Sequence, residues 1–397
     1  MNADRIGMQS TLMNHSSYDA IVIGAGSVGV PTALALAGRK MSTLVIDACP
    51  SPGQSNSKRA IGGIRATHSD FGKIRVCLRS IEIFSGWREQ YGDDIGWLQH
   101  GYSYPAYSAA DERKLKDLMK VQHAHGLNIR WVPAAEYAEL VPGINMDGLR
   151  GATYSPGDGS ASPLLALNAF YFRSLEAGVR YRFNEQVTAI RSRNGSGLEV
   201  VTGKGVYSAA RVVNAAGNHG GEIAALAGRR LPIQPDSHEG AITEPVKRFF
   251  GPMVVDMRPS RNSKNYYFYQ NAEGQVVFCI TPEPAILGAD NDSTSGFFPL
   301  VARRMVELYP RLAYLKVRRA WRGQYPNTPD GFPIVGASRE MPGFIHAVGM
   351  CGQGFMLGPG LGELIARLAA GETGEEDAEI LRSFDPYRDF SGMEQFQ

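Results

Sequence analysis

The chain has 397 residues, enough for two or three structural units at roughly 150 residues per domain. Apolar residues make up 43% and charged residues 20%, which excludes a chain disordered over most of its length. A net charge of +2, from 41 Lys plus Arg against 39 Asp plus Glu, provides no long-range field to gather nucleic acid or anionic lipid, so neither partner is expected.

In chain order, residues 1–17 form a polar tail of mixed charge without an apolar h-region, which predicts no secretory signal. Residues 20–38 then run uncharged for 19 positions, about the length of a membrane span. Pro31 and four glycines interrupt the run, which opens on Ala20-Ile21-Val22-Ile23, a β-branched stretch typical of a buried strand. No transmembrane segment is expected. The strand over 18–23 leads into Gly24-Ala25-Gly26-Ser27-Val28-Gly29 and a helical pattern over 31–38, so GxGxxG stands between strand and helix, as dinucleotide binding requires. A second apolar run, 42–46, ends in Asp47, 23 positions after Gly24, a spacing that suits an acid on a ribose hydroxyl. The glycines provide a tight turn, room for a pyrophosphate and close helix packing, while the helix N-terminus faces the phosphate charge.

Beyond a loop at 51–68, Ile74, Cys77, Leu78, Ile81 and Phe84 recur at helical spacing over 73–87, which makes Cys77 a core thiol rather than a nucleophile. A charged helix over 111–125 carries Lys114, Lys116 and Lys120 as a solvated face. His123 and His125, two apart, lie on different sides of it, which speaks against a metal pair. The cysteines, Cys49, Cys77, Cys279 and Cys351, form no CxxC pair, so we expect no metal site, no disulfide framework, and a reducing, cytoplasmic compartment. A strand at 211–214 runs into Ala215-Ala216-Gly217 and a helix over 221–227, another βα turn. Residues 262–281 read as a hairpin about Asn271-Ala272-Glu273-Gly274. Last come a strand at 344–348, the turn Gly349-Met350-Cys351-Gly352-Gln353-Gly354 and a helix over 359–370, whose N-terminus stabilises negative charge. The cofactor site is thus expected to draw on both ends of the chain.

These segments resemble the FAD-dependent amine and amino-acid oxidoreductases of the D-amino-acid-oxidase type, which include sarcosine oxidases, glycine oxidase and dye-linked L-proline dehydrogenases. The likeness rests on the 24–29 fingerprint with Asp47, on Val212-Val213-Asn214-Ala215-Ala216-Gly217, on Thr328-Pro329-Asp330-Gly331-Phe332-Pro333-Ile334-Val335-Gly336, and on Gly352-Gln353-Gly354-Phe355-Met356-Leu357-Gly358-Pro359. Gly62-Gly63-Ile64-Arg65 and Ile242-Thr243-Glu244-Pro245-Val246 look closest to the β subunits of proline dehydrogenase and sarcosine oxidase. The resemblance implies an α/β fold, α+β overall, with a Rossmann-like FAD domain (18–90, 150–230 and 323–397) and an inserted antiparallel-sheet substrate domain (91–149 and 231–322). FAD would be met by Gly24, Gly26, Ser27, Val28, Gly29, Asp47 and Ala48, by Gly62, Gly63 and Ile64, and by Val187 at the adenine. Ala215, Ala216, Gly217, Gly352, Gly354, Phe355 and Met356 complete the set, the last three over the flavin pyrimidine ring.

Where monomeric sarcosine oxidases carry the cysteine of covalent flavin, this chain has Gly323, which implies non-covalent FAD. Met356 replaces a lysine that helps hold the substrate carboxylate, and no lysine occurs between Lys264 and Lys316, where oxidases place their oxygen-activating lysine, loosely aligned near Phe278. This tilts the reading from oxidase to dehydrogenase. Arg65 aligns with a carboxylate-binding arginine, a role its planar fork suits. Tyr325 stands where glycine oxidase has an arginine, His68 lies near Arg65, and Tyr267 belongs to a period-two set (Tyr266 with Phe268, Tyr267 with Tyr269) of which one pair packs as core and the other walls the pocket. The implied activity is oxidation of a secondary amine or amino acid, such as proline or sarcosine, to an imine. Alternatives are a D-amino-acid dehydrogenase or oxidase, or a flavin-binding subunit of a larger complex with partner subunits or an electron acceptor. An aromatic-hydroxylase type needs a late Gly-Asp motif, and the only Gly-Asp pairs, Gly92-Asp93 and Gly157-Asp158, come early.

Overall fold

The computed structural model describes residues 16–193 and 197–394, so all but the last two residues of the expected tail lie outside it. In chain order the strands of the first half are β1 (Ser16–Ile23), β2 (Thr43–Ile46), β3 (Gly63–Ile64), β4 (Tyr102–Ala106), β5 (Arg130–Pro133), β6 (Gly151–Ser155), β7 (Gly159–Ser160), β8 (Arg180–Arg182) and β9 (Val187–Ser192). They continue with β10 (Leu198–Thr202), β11 (Val206–Asn214), β12 (Gln234–Pro245), β13 (Met253–Asp256), β14 (Ser263–Gln270), β15 (Gln275–Pro282), β16 (Val317–Asn327), β17 (Ile334–Ala337) and β18 (Phe344–Val348). The helices are α1 (Gly29–Gly38), α2 (Phe71–Tyr91), α3 (Ala109–Ala124), α4 (Ala134–Leu140), α5 (Pro163–Glu176), α6 (Gly220–Leu226), α7 (Phe297–Leu308), α8 (Gly354–Ala370) and α9 (Glu375–Phe384).

The first sheet runs β17-β18-β11-β1-β2-β8, with β9 and β10 attached through β11. Its central neighbours are parallel, as a strand buried on both faces requires, and β1, fully buried from Ala20 to Ile23, sits between β11 and β2. The second sheet, β16-β12-β15-β14-β13-β4-β6-β5, is antiparallel except where β13 meets β4. Gly151–Ser155 pairs with β4 and β5, so this strand, expected in the first unit, belongs to the second sheet.

Two helices differ from the reading of the sequence. The helix α8 begins at Gly354, five residues before Pro359, which lies inside it. A proline there removes one amide, and its ring crowds the carbonyl of the preceding turn. Ser80 of α2 compensates: its hydroxyl accepts from Gly360 N at 2.9 Å and donates to Leu357 O at 3.3 Å. Close backbone approach explains the glycines of α8, since a Cβ on Gly358 would stand 1.9 Å from Ser27 O of the first glycine turn. The βα turn after β11 opens with a single 3-10 turn, Gly217–His219, before α6.

Burial separates the two faces of β14 and β15. Tyr266 and Phe268 are fully buried in the core beneath α7, where Phe278 stacks on Phe297. Tyr267, Tyr269 and Cys279 stand on the opposite face, cross-paired in register. Of the two alternating pairs, Tyr266 with Phe268 packs in the core beneath α7, while Tyr269 of the other pair packs in a separate buried cluster. No helix among the described residues is long and apolar enough to cross a membrane.

Candidate cofactor and substrate site

A cavity of about 700 Å3 opens along the C-terminal ends of β1, β2 and β11 and reaches the first glycine turn, the β9 strand and the end of β16. Gly24, Gly26, Ser27, Val28, Asp47, Ala48, Val187, Ala215, Ala216, Gly217, Gly352, Gly354, Phe355 and Tyr325 line it. The site therefore gathers residues from both ends of the chain, as the sequence implies.

Each wall has a local cause. Gly24 holds φ at +108°, and a Cβ there would meet Ala215 O at 2.4 Å, so only glycine lets β1 and β11 end side by side. Gly29 is not on the wall; its missing Cβ leaves room for Gly24 O at 1.9 Å, which makes it the packing glycine of the fingerprint. Asp47 at the end of β2 accepts from Ala25 N at 2.6 Å and from Cys49 N at 2.7 Å, which aims its carboxylate along the cavity rim. No side chain caps α1 or α8. Both N-termini, through Val28 and Gly354, meet the cavity, so two positive dipole ends face it.

This donor set fits a dinucleotide. Bare glycine backbone and uncapped helix amides suit phosphate, and the Asp47 carboxylate suits ribose hydroxyls. The space fills with backbone rather than side chains where the chain passes closest. Residues that the sequence reading did not single out complete the wall. Asn56, Asn218 and Gln324 form a bridge: Asn56 donates to Asn218 at 2.9 Å and accepts from Gln324 N at 3.2 Å, while Asn218 donates to Gln324 at 3.3 Å. Ser57 accepts from Ser27 N at 3.0 Å. Asn218 directly follows the Asn214-Ala215-Ala216-Gly217 motif and was within reach of it. Asn56 and Ser57 sit in a loop that carries no such signal.

The candidate substrate residues fall into two groups. Tyr325 lines the cavity and packs against Gly352, where a Cβ would lie 2.4 Å from its ring. Its hydroxyl is 3.2 Å from that of Tyr267, and burial pushes both phenols well above their ordinary range, so both are protonated donors. His238, from β12, stacks on Tyr325 with ring centroids 3.8 Å apart. Cys279 of β15 is paired with Tyr267 on the same face of the sheet, and burial raises its thiol to about 11. Phe278, by contrast, points into the core, so the missing lysine bears on the opposite face of β15, that of Val277, Cys279 and Thr281.

Arg65 and His68 lie apart, outside the lining of the 700 Å3 cavity, as do Gly62, Gly63, Ile64, Met356 and Tyr267. Gly62 and Gly63 serve packing: a Cβ would meet Ala161 O at 2.5 Å and Tyr102 Oη at 1.9 Å respectively. Arg65 is 8% exposed, and its guanidinium donates to Thr67 O at 2.5 Å and lies 3.2 Å from His68 Nδ1. Burial, with Arg65 and Lys73 nearby, holds His68 well below its ordinary range and therefore neutral. Asp158 is fully buried next to this turn, accepts from Ala66 N at 3.0 Å, and burial raises its carboxyl to about 7. Cys77 lies 3.4 Å from His68 Nε2, and burial pushes its thiol up to about 12, which suits a core thiol. No cluster of three or more metal-ligating side chains occurs among the described residues.

Comparison with known proteins adds that residues 19–368 match a family described as FAD dependent oxidoreductase (DAO). The chain is 24% identical to the sarcosine oxidase subunit beta of Rhodobacter capsulatus, over 89% of this chain and 85% of that protein. It is 26% identical to the glycine oxidase of Geobacillus kaustophilus, over 88% and 92%. The crystal structure of L-proline dehydrogenase from P. horikoshii superposes with a TM-score of 0.87 at 30% identity, covering 94% of this chain and 98% of that one.

Proposed function

The chain belongs to the DAO family of FAD-dependent oxidoreductases, and from that premise we propose that it oxidises a secondary amine or α-amino acid, proline or sarcosine being the leading candidates, to the imine. The observation that carries this reading is the meeting of Tyr325, on the wall of the dinucleotide cavity and against Gly352 of the turn that leads into α8, with the Tyr267 hydroxyl behind it. FAD supplies the hydride acceptor. The two protonated phenols present hydroxyls to a polar substrate group, and the aromatic face around them excludes water. Arg65 is the carboxylate anchor in this reading, with neutral His68 beside it adding no charge of its own next to the guanidinium. Approach of a substrate carboxylate then requires the guanidinium to turn from Thr67 O.

A dehydrogenase is favoured over an oxidase because the β15 positions on the face of Tyr267 and Tyr269, Val277, Cys279 and Thr281, carry no cation to favour superoxide. We also propose that FAD is held without a covalent bond, since Gly323 on the cavity wall has no side chain to attach it. Acid precipitation then leaves the yellow colour in the supernatant; colour in the pellet refutes non-covalent binding. The relatives' description as a subunit supports a partner chain or separate electron acceptor as a second component. The decisive experiment is anaerobic titration with L-proline, sarcosine and D-amino acids, following flavin absorbance. Bleaching by one of the first two supports the proposal; bleaching by D-amino acids alone, or by none, overturns it. Re-oxidation by air faster than by a dye overturns the dehydrogenase assignment.

A further inference from the structure

We propose that Glu394 is a positioning residue for Arg65: its carboxylate latches the turn that carries the arginine, and so sets how tightly a substrate carboxylate is held. The inference rests on the reading of Arg65 as the anchor.

The turn between β3 and α2 is fastened at several points, each by a different segment. Asp158 accepts from Ala66 N at 3.0 Å, and Gln122 of α3 donates to His68 O at 3.1 Å. Glu394 comes from the segment after α9. Its Oε1 accepts from both the amide and the hydroxyl of Ser69, at 3.1 Å and 2.5 Å. Its Oε2 lies 3.6 Å from Lys73 Nζ, and neither side chain has any exposure. Arg65 is a second buried cation close to the first, and the Glu394 charge acts on it as well. Glu394 therefore sets its carboxyl group against a buried pair of cations, a place where an unmatched charge is expensive.

The segment that delivers Glu394 is itself pinned. Arg388 donates to both oxygens of Asp330, at 2.7 and 3.1 Å, and Glu394 N donates to Asp330 O at 2.9 Å. Lys73 Nζ donates to Gly331 O at 2.7 Å. The turn at Asp330 and Gly331 thus holds both the carboxylate and the ammonium it faces, forming a closed clamp four residues from Arg65. Releasing Glu394 loosens the Ser69 end of the turn and leaves Lys73 to compete for any incoming carboxylate, so the arginine fork is no longer presented in one orientation.

The test compares Glu394→Ala, Glu394→Gln and Ser69→Ala in the flavin-loaded protein. The substrate is L-proline with pyrrolidine as the carboxylate-free analogue, or sarcosine with dimethylamine, whichever pair reduces the flavin. Glu394→Ala should raise KM for the carboxylate substrate about tenfold and leave kcat within about threefold. The analogue, read as substrate or as competitive inhibitor, should be unaffected. Glu394→Gln, which keeps an oxygen for Ser69, should fall between, and Ser69→Ala, the mildest change, should raise KM about threefold. A purely structural role instead lowers flavin content or Tm and affects substrate and analogue alike, which overturns the latch. An unchanged KM in folded Glu394→Ala overturns it too, and if that variant does not fold, an unchanged KM in Ser69→Ala does so. Arg65→Ala separates the two readings. If it leaves the carboxylate KM unchanged, anchor and latch both fail; if it raises KM while the Glu394 and Ser69 variants do not, only the latch fails.

Discussion

The dinucleotide cavity and the buried turn at Arg65 are built on opposite principles. Around the cavity the recognition elements are backbone: Gly24, Gly26 and Gly354 beside two helix ends without side-chain caps, with Asp47 as the one carboxylate held by two amides. Around Arg65 they are side chains, with Lys73, His68, Asp158 and Glu394 packed together out of water. Backbone dipoles keep their strength at any pH and demand only that nothing intrude. Buried side-chain charges demand partners, and every partner titrates or can be replaced. The first region should therefore fail sterically and all at once, the second electrostatically and by degrees.

The largest effect expected is Gly24→Val. Its side chain would collide with the Ala215 carbonyl, 2.4 Å from a Cβ, in a backbone conformation that β-branched residues avoid. The flavin-to-protein ratio of the purified variant should fall at least about tenfold. Full flavin content would mean the cavity is not the FAD site. Next comes Arg65→Ala, which should lower kcat/KM for carboxylate substrates by roughly 30-fold to 1,000-fold while flavin stays bound. Arg65→Lys keeps the charge, loses the fork and should lie between. If Arg65→Ala sheds its flavin, the arginine belongs with the structural supports.

This contrast also explains what was legible in the sequence. The fingerprint residues Gly24, Gly26, Ser27 and Val28, Asp47, the Ala215-Ala216-Gly217 turn and the 352–355 turn all reach the cavity because each carries its geometry in a few consecutive residues. The start of α8 was misplaced because proline normally marks a first turn, and the Ser80 hydroxyl that tolerates it lies 280 residues away. Glu394 and Asp158 gave no signal at all. Each acquires its meaning from Ser69 and Lys73, or from Ala66, which only the folded chain brings near. His238 was missed for the same reason, since its place against Tyr325 depends on the register of β12 with β16.

Tyr325→Phe tests the place where backbone cavity and side-chain chemistry meet. It keeps the ring that packs on Gly352 and under His238, and removes only the hydroxyl beside Tyr267. The expected loss is about tenfold in kcat/KM with unchanged flavin content, the size of one hydrogen bond in a desolvated site. Unchanged kinetics would assign the pair of phenols to packing.

The smallest effect, and the one that separates the regions by their response to pH, is Asp158→Asn. In the folded protein burial raises the Asp158 carboxyl to about 7, and Ala66 N on Oδ1 offsets only part of that rise. An unfolded aspartate titrates near 3.9. Between these values the native state holds a proton that the unfolded chain has released, so stability contributed by this group is complete below about pH 4 and declines as pH rises towards 7. Above that range the carboxylate is charged and buried beside a Ser155 hydroxyl and an Arg65 already engaged with Thr67 O. Asparagine keeps the oxygen for Ala66 N and never ionises. At pH 4 the variant should melt within about 1 °C of the parent, while at pH 8 it should melt a few degrees higher. Gly24→Ala, whose damage is steric, should lower Tm by a similar amount at both pH values. If the Asp158→Asn difference does not grow between pH 4 and pH 8, the buried carboxyl is ionised throughout, and the Arg65 turn holds one more fixed negative charge than its surroundings imply.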